Sequence, residues 1–186
     1  YSFYMTQETT PETMGEQTCP MCLKPSLSLC EFSKDIPFFG VTYFFSMNCD
    51  NCQYYKSDLE SAEEKEPSKY TININKDDLN IRIVRSSYST VKIPTLKMDI
   101  KPGPSSNGYI SNIEGIINRF TKILEQIRDG SEDKSARKSV KNQLKKISDF
   151  KFGTQELKII IEDPTGNSMI ISPKAVKEKL KVKKTK

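Results

Sequence analysis

Histidine is absent from the 186 residues. Without it no Ser–His or Cys–His pair can be assembled, so the common routes to an activated nucleophile are closed. Neither G-x-x-x-x-G-K-[ST] nor G-x-G-x-x-G nor G-x-S-x-G occurs, which removes the phosphate-cradling loops and the nucleophile elbow. Two adjacent acid pairs remain. Glu162 and Asp163 precede a turn on what reads as a strand, where neighbours point to opposite faces and cannot share a proton. Asp77 and Asp78 follow a strand and read as the cap of a turn or short helix. No catalytic residue is nominated, and the chain is not expected to be an enzyme. Long apolar runs are also missing. The longest, IPFFGVTYFFSM at 36–47, has twelve residues, against the ~20 a membrane helix needs. The first residues lack a basic segment followed by an apolar one, so no secretory leader is expected. The reading is of a cytoplasmic protein with Met5 as its natural start.

Cysteine is the residue type that is present and patterned. Cys19 and Cys22 form CPMC, and Cys49 and Cys52 form CDNC, with 26 residues between the pairs. Each C-x-x-C turn aims two thiolates at one point, and two such turns build the tetrahedral four-sulfur shell that Zn²⁺ prefers. The alternative, a pair of redox dithiols, fits two motifs flanking one short segment less well. Four thiolates close the shell, so a single zinc ion bound there holds the chain in shape and leaves no position for a reacting water. The segments LSLCEF and VTYFFSM between the pairs read as the strands of a ribbon hairpin. Cys30 is left over and is expected to be a small buried thiol.

The rest of the chain divides by composition. Residues 1–18 are polar without periodicity and read as a flexible arm, 19–60 as the ribbon, and 61–69 as a charged linker containing Pro67. Residues 70–172 read as a β domain interrupted by a helical hairpin at 111–149. Ile113, Ile116, Ile117, Phe120, Ile123, Leu124 and Ile127 recur at helical steps. Ser111 with Glu114 matches a capping box, Gly130 suits the end of the first helix, and Ser131 suits the cap of the second. Ala136, Val140, Leu144 and Ile147 mark the second apolar stripe. LKIIIEDPTGNSMIIS at 157–172 reads as two strands joined by a tight hairpin turn. There Asp163 would accept backbone N–H bonds, Gly166 would supply a positive φ, and Asn167 and Ser168 would finish the turn. A short helix is expected to start at Ser172–Pro173. From Pro173 to Lys186 there are seven Lys and one Glu, so the remaining 172 residues carry 22 basic and 23 acidic groups. The body therefore reads as near neutral with a basic tail suited to a weak RNA contact.

Four segments in this order, CPMC with IPFFGVTYFFSMNCDNC, DDLNIRIVRSSYSTVKIPTLKMDI, NGYISNIEGIINR and EDPTGNSMII, resemble one module of the ZPR zinc-finger family. The eukaryotic members carry two such modules, and this chain, without an internal repeat, is similar to the single-module archaeal members. The resemblance implies zinc held by Cys19, Cys22, Cys49 and Cys52, and a double-stranded β-helix, jelly-roll-like, for the second domain. It also implies an intracellular partner, translation elongation factor 1-alpha, which the family binds and helps to fold. An RNA- or ribosome-binding zinc ribbon is the alternative. Candidate partner-binding residues are Ile36, Pro37, Phe38 and Phe39 at the ribbon tip and Asp163, Gly166, Asn167 and Ser168 in the turn. Leu23 and Gln53 stand where the family often has Gly, in a turn position expected to take a positive φ, which costs a non-glycine about 1 kcal/mol.

Overall fold

Strand pairing in the N-terminal third follows directly from the ribbon pattern. In the computed structural model, which describes residues 9–37, 39–63 and 65–181, β2 (Pro25–Ile36) and β3 (Gly40–Cys49) form a long antiparallel hairpin, and β4 (Tyr55–Ser61) pairs with β3. The fourth strand was not expected. β1 (Glu12–Thr18) pairs with β2, so these residues are not a flexible arm. Every side chain of β1 is exposed. What pairs it is its backbone ladder to β2, which a periodicity search over buried positions cannot detect.

The second unit is built from strands that alternate between two sheets. One sheet has the order β12-β5-β10-β7-β8 and the other β11-β6-β9. Their members are β5 (Ser68–Ile74), β6 (Arg82–Arg85), β7 (Thr90–Ile93), β8 (Met98–Ile100), β9 (Tyr109–Asn112), β10 (Leu157–Asp163), β11 (Met169–Ile171) and β12 (Val176–Lys179). All pairings are antiparallel. The chain crosses from one sheet to the other at most of its turns, as a double-stranded β-helix requires. The turn after β10 is one such corner: β10 and β11 lie in different sheets, so 157–172 is not a hairpin. β12 replaces the short helix expected from 172. Its four residues are exposed and it adds to the edge of β5, where Lys69 and Glu178 form an ion pair.

Between β9 and β10 stand α1 (Ile113–Gly130) and α2 (Lys134–Phe152). The predicted stripe holds over most of its length: Ile113, Ile116, Ile117, Phe120 and Leu124 are buried with Val140, Ile147 and Phe150 against Ile72, Ile83, Ile93 and Ile159, but Ile123 is only half-buried and Ile127, near the end of the helix, is exposed. The caps differ from expectation by one or two residues. Asn112, not Ser111, caps α1 by accepting from Gly115 N. Helix α1 ends on an extended Ser131 rather than on a left-handed glycine. Asp133 caps α2, because its two carboxylate oxygens take both Ser135 N and Ala136 N beside the positive end of the helix. Helix α2 continues three residues past 149 to a left-handed Gly153 with φ 81°, whose N–H reaches Phe150 O. No helix among the described residues is long and apolar enough to cross a membrane.

The four-thiol ribbon and its seam with the β domain

The two C-x-x-C turns are near copies of each other. Cys19 N donates to Lys24 O and Leu23 N to Cys19 O; Cys49 N donates to Tyr54 O and Gln53 N to Cys49 O. In each, the residue after the second cysteine is left-handed, with φ 59° at both Leu23 and Gln53. The expected positive φ is therefore present, carried by side chains that disfavour it. The turns bring the Sγ atoms of Cys19, Cys22, Cys49 and Cys52 within 4.8 Å of one another. The Cys19–Cys52 and Cys22–Cys49 separations are both 3.7 Å. A tetrahedron with Zn–S bonds of ~2.3 Å has edges of about 3.8 Å, whereas a disulfide would need about 2.0 Å. The donor set fits one zinc ion with a closed shell. The four thiols do not titrate alike before metal arrives: against a backbone bond at Tyr54, burial and the neighbouring cysteines push the Cys52 thiol up to about 12. The Ser26 hydroxyl at 3.2 Å, followed by backbone donors, lowers the Cys49 thiol to about 6, and a backbone bond at Lys24 lowers that of Cys22. Cys30 lies apart on β2, half-buried rather than buried, and takes no part.

The ribbon tip is not a free aromatic surface. Ile36 and Phe39 are 7% and 5% exposed and pack with Leu59 of β4 and Val84 of the β domain. They close the seam between ribbon and β domain and are not exposed anchors. Lys65 holds Phe39 from above, with Nζ 3.4 Å from the ring centroid and bonded to Phe39 O. Pro37 is exposed, and Phe38 lies outside the described residues.

Most of the 163–168 turn is also committed internally. Asp163 is fully buried and Ser168 is 1% exposed. Asp163 Oδ1 accepts from Thr165 N at 2.8 Å and from its hydroxyl, while Oδ2 accepts from the Ser86 and Ser168 hydroxyls. These bonds tie the β10–β11 corner to the β6–β7 corner. Gly166 is buried at φ 73°, and a Cβ there would stand 2.4 Å from Glu66 O, so the turn admits only glycine. Asp163, Gly166 and Ser168 are therefore corner-forming residues and do not offer a surface to a partner. Asn167 alone reaches outward: its side-chain oxygen accepts from Ser61 N on β4.

That bond is one of three along the outer edge of β4. Ser57 N donates to the Asn107 side chain, Leu59 N to Asp58, and Ser61 N to Asn167. Asp58 also accepts from the Ser87 backbone and hydroxyl. Gly108 passes so close that a Cβ would meet Asp58 at 2.6 Å. The outward donors of Ser57, Leu59 and Ser61 are thus satisfied by side chains, which closes this stretch of β4 to strand addition. Behind it, Arg85 is buried and donates to Ser89 O, Asn107 O and the Ser106 hydroxyl, fixing the loop that supplies Asn107. Beside the seam lies a groove of about 540 Å³, lined by Phe45, Glu60, Glu63, Lys65, Tyr88 and Thr165 among others. Tyr88, at the β6–β7 corner, is 58% exposed at its rim. Neither the seam nor the groove was visible in the sequence, because their members come from segments far apart along the chain.

A closed four-thiol ribbon docked on a double-stranded β-helix defines a zinc-binding module of the zinc-finger class. The ZPR1 zinc-finger domain model matches residues 13–67 and the ZPR1 jelly-roll domain model residues 77–186. The chain is 36% identical over 162 residues to a ZPR1-like protein of Methanocaldococcus jannaschii, covering 86% of this chain and 82% of that one. It is 36% identical over 182 residues to a ZPR1-like protein of Pyrococcus horikoshii, covering 94% and 82%. A zinc finger chaperone of Schizosaccharomyces pombe is 30% identical over 140 residues, 73% of this chain but only 30% of its own length. The chain belongs to the ZPR1 family.

Proposed function

We propose that this protein is a non-enzymatic folding or assembly factor that binds translation elongation factor 1-alpha, with Cys19, Cys22, Cys49 and Cys52 holding one structural zinc ion. The observation that carries the reading is the groove at the ribbon–β-domain seam. It is concave, it joins two rigid units, and it combines aromatic area from Phe45 and Tyr88 with exposed acids at Glu60 and Glu63. A surface of mixed aromatic and charged character suits protein recognition. The name of the fission-yeast relative, a zinc finger chaperone, supports the same class. The ribbon itself offers little to RNA. Lys24 is bonded to Asn51, and Lys34 and Lys56 are the other two cations of residues 19–60.

The test is a calorimetric titration of elongation factor 1-alpha from the same source, with GDP and with GTP, at two salt concentrations. The expected result is a complex at micromolar concentration or tighter with little salt dependence, weakened about thirtyfold by Tyr88→Ala, since buried aromatic anchors contribute ~2 kcal/mol or more. No heat with either nucleotide, or full affinity in the Tyr88 variant, would sink the reading.

A further inference from the structure

The folded body is not electrically neutral throughout. Helix α2 carries seven cations and one acid, and residues 173–186 carry the same balance, while the other 153 residues carry 15 cations and 22 acids. The cations of α2 are also ordered. Lys134, Lys138, Lys141 and Lys145 follow steps of four, three and four, which places them on one line along the helix. All four are exposed, and among the described residues none enters an ion pair. The next steps of the same line are Ser148, exposed, and Phe152, which is 79% exposed. The opposite face of the helix, with Val140, Ile147 and Phe150, is the one spent on the core. Acids lie only at the ends: Glu132 and Asp133 before the first lysine, and Asp149 off the line near the last turn.

A row of cations ending in an unpartnered aromatic has a natural complement. Single-stranded nucleic acid is bound by a positive track that follows its phosphates and by aromatic rings on which bases stack. The four lysines span about 16 Å and the ring lies about 10 Å further on, at 1.5 Å per residue. An acidic protein would satisfy the lysines but would leave Phe152 without a role. We infer that the exposed line of α2, from Lys134 to Phe152, is a binding site for single-stranded RNA. The site lies on the helical hairpin, contributes no residue to the seam groove, and does not depend on the partner proposed above.

The experiment is fluorescence anisotropy of a fluorescein-labelled oligouridylate of about 15 nucleotides with the full zinc-loaded chain, across a salt series. The intact chain is expected to bind with a steep salt dependence. Replacing Lys134, Lys138, Lys141 and Lys145 by Gln should weaken binding at least tenfold and lower the slope of log K against log salt by about 3, at ~0.7 per phosphate contact. Phe152→Ala should weaken binding about tenfold with an unchanged slope, the mark of a lost stacking contact. Single Lys141→Gln, expected to lower the slope by about 0.7, keeps the test open if the fourfold variant fails to fold. Three results would overturn the inference: no binding by the intact chain at low salt, binding lost on Lys→Gln changes in 174–181 but not in α2, or polyglutamate binding as tightly as the oligouridylate with no effect of Phe152→Ala.

Discussion

At the scale of single residues, the zinc knuckles contain a strain that their spacing alone does not reveal. The cysteine ligand set was legible because C-x-x-C fixes the geometry locally. The cost of that geometry sits one position further, at Leu23 and Gln53, both at φ 59°. Left-handed backbone costs a side chain about 1–2 kcal/mol, and glycine there returns about 0.5–1 kcal/mol of that through its freedom in the unfolded chain. Gln53→Gly should therefore stabilise the zinc-loaded protein by about 0.5 kcal/mol, seen as a small rise in Tm. A fall in Tm would mean that the Gln53 amide, which donates to Asp50 O at 3.1 Å, matters more than the backbone. The helix caps show the limit of local reading. Ser131 and Asp133 are both good caps, and the choice between them depends on where α1 stops, which is set by packing.

At the scale of elements, the sequence shows the pieces that bury a face and hides the ones that do not. The strands β2, β3, β5 and β10 and both helices follow from apolar periodicity. Strands β1 and β12, exposed throughout, carry polar sequences that fit an arm and a tail equally well, and only the neighbouring edge decides. The ribbon tip fails for the opposite reason. Ile36 and Phe39 read as anchors for a partner, and their partner is Val84 of the same chain. Phe39→Ala removes a ring that is 5% exposed and should cost about 3–4 kcal/mol. Because the lost contacts lie between units, the expected signature is a melting curve that separates into ribbon and β-domain transitions. A single transition merely shifted downward would show that the ring serves one unit and not the seam.

At the scale of the whole molecule, two rigid units are fixed by the β4 edge and its side-chain bonds to Asn107, Asn167 and Ser87. Zinc stiffens the unit that supplies β4, so removal of the metal should disorder one wall of the groove while leaving the β domain's own core intact. Zinc-ribbon folding is coupled to metal binding on a scale of about 10 kcal/mol, enough to dissolve a small ribbon. The central claim, that this zinc-supported seam serves a folding client, is tested most directly by the yield of active elongation factor 1-alpha refolded from denaturant in the presence of the protein. Stoichiometric zinc-loaded protein should raise that yield severalfold, and chelator-stripped protein and the Tyr88→Ala variant should not. A yield unchanged by the zinc-loaded protein, or raised equally by the stripped one, would contradict the account.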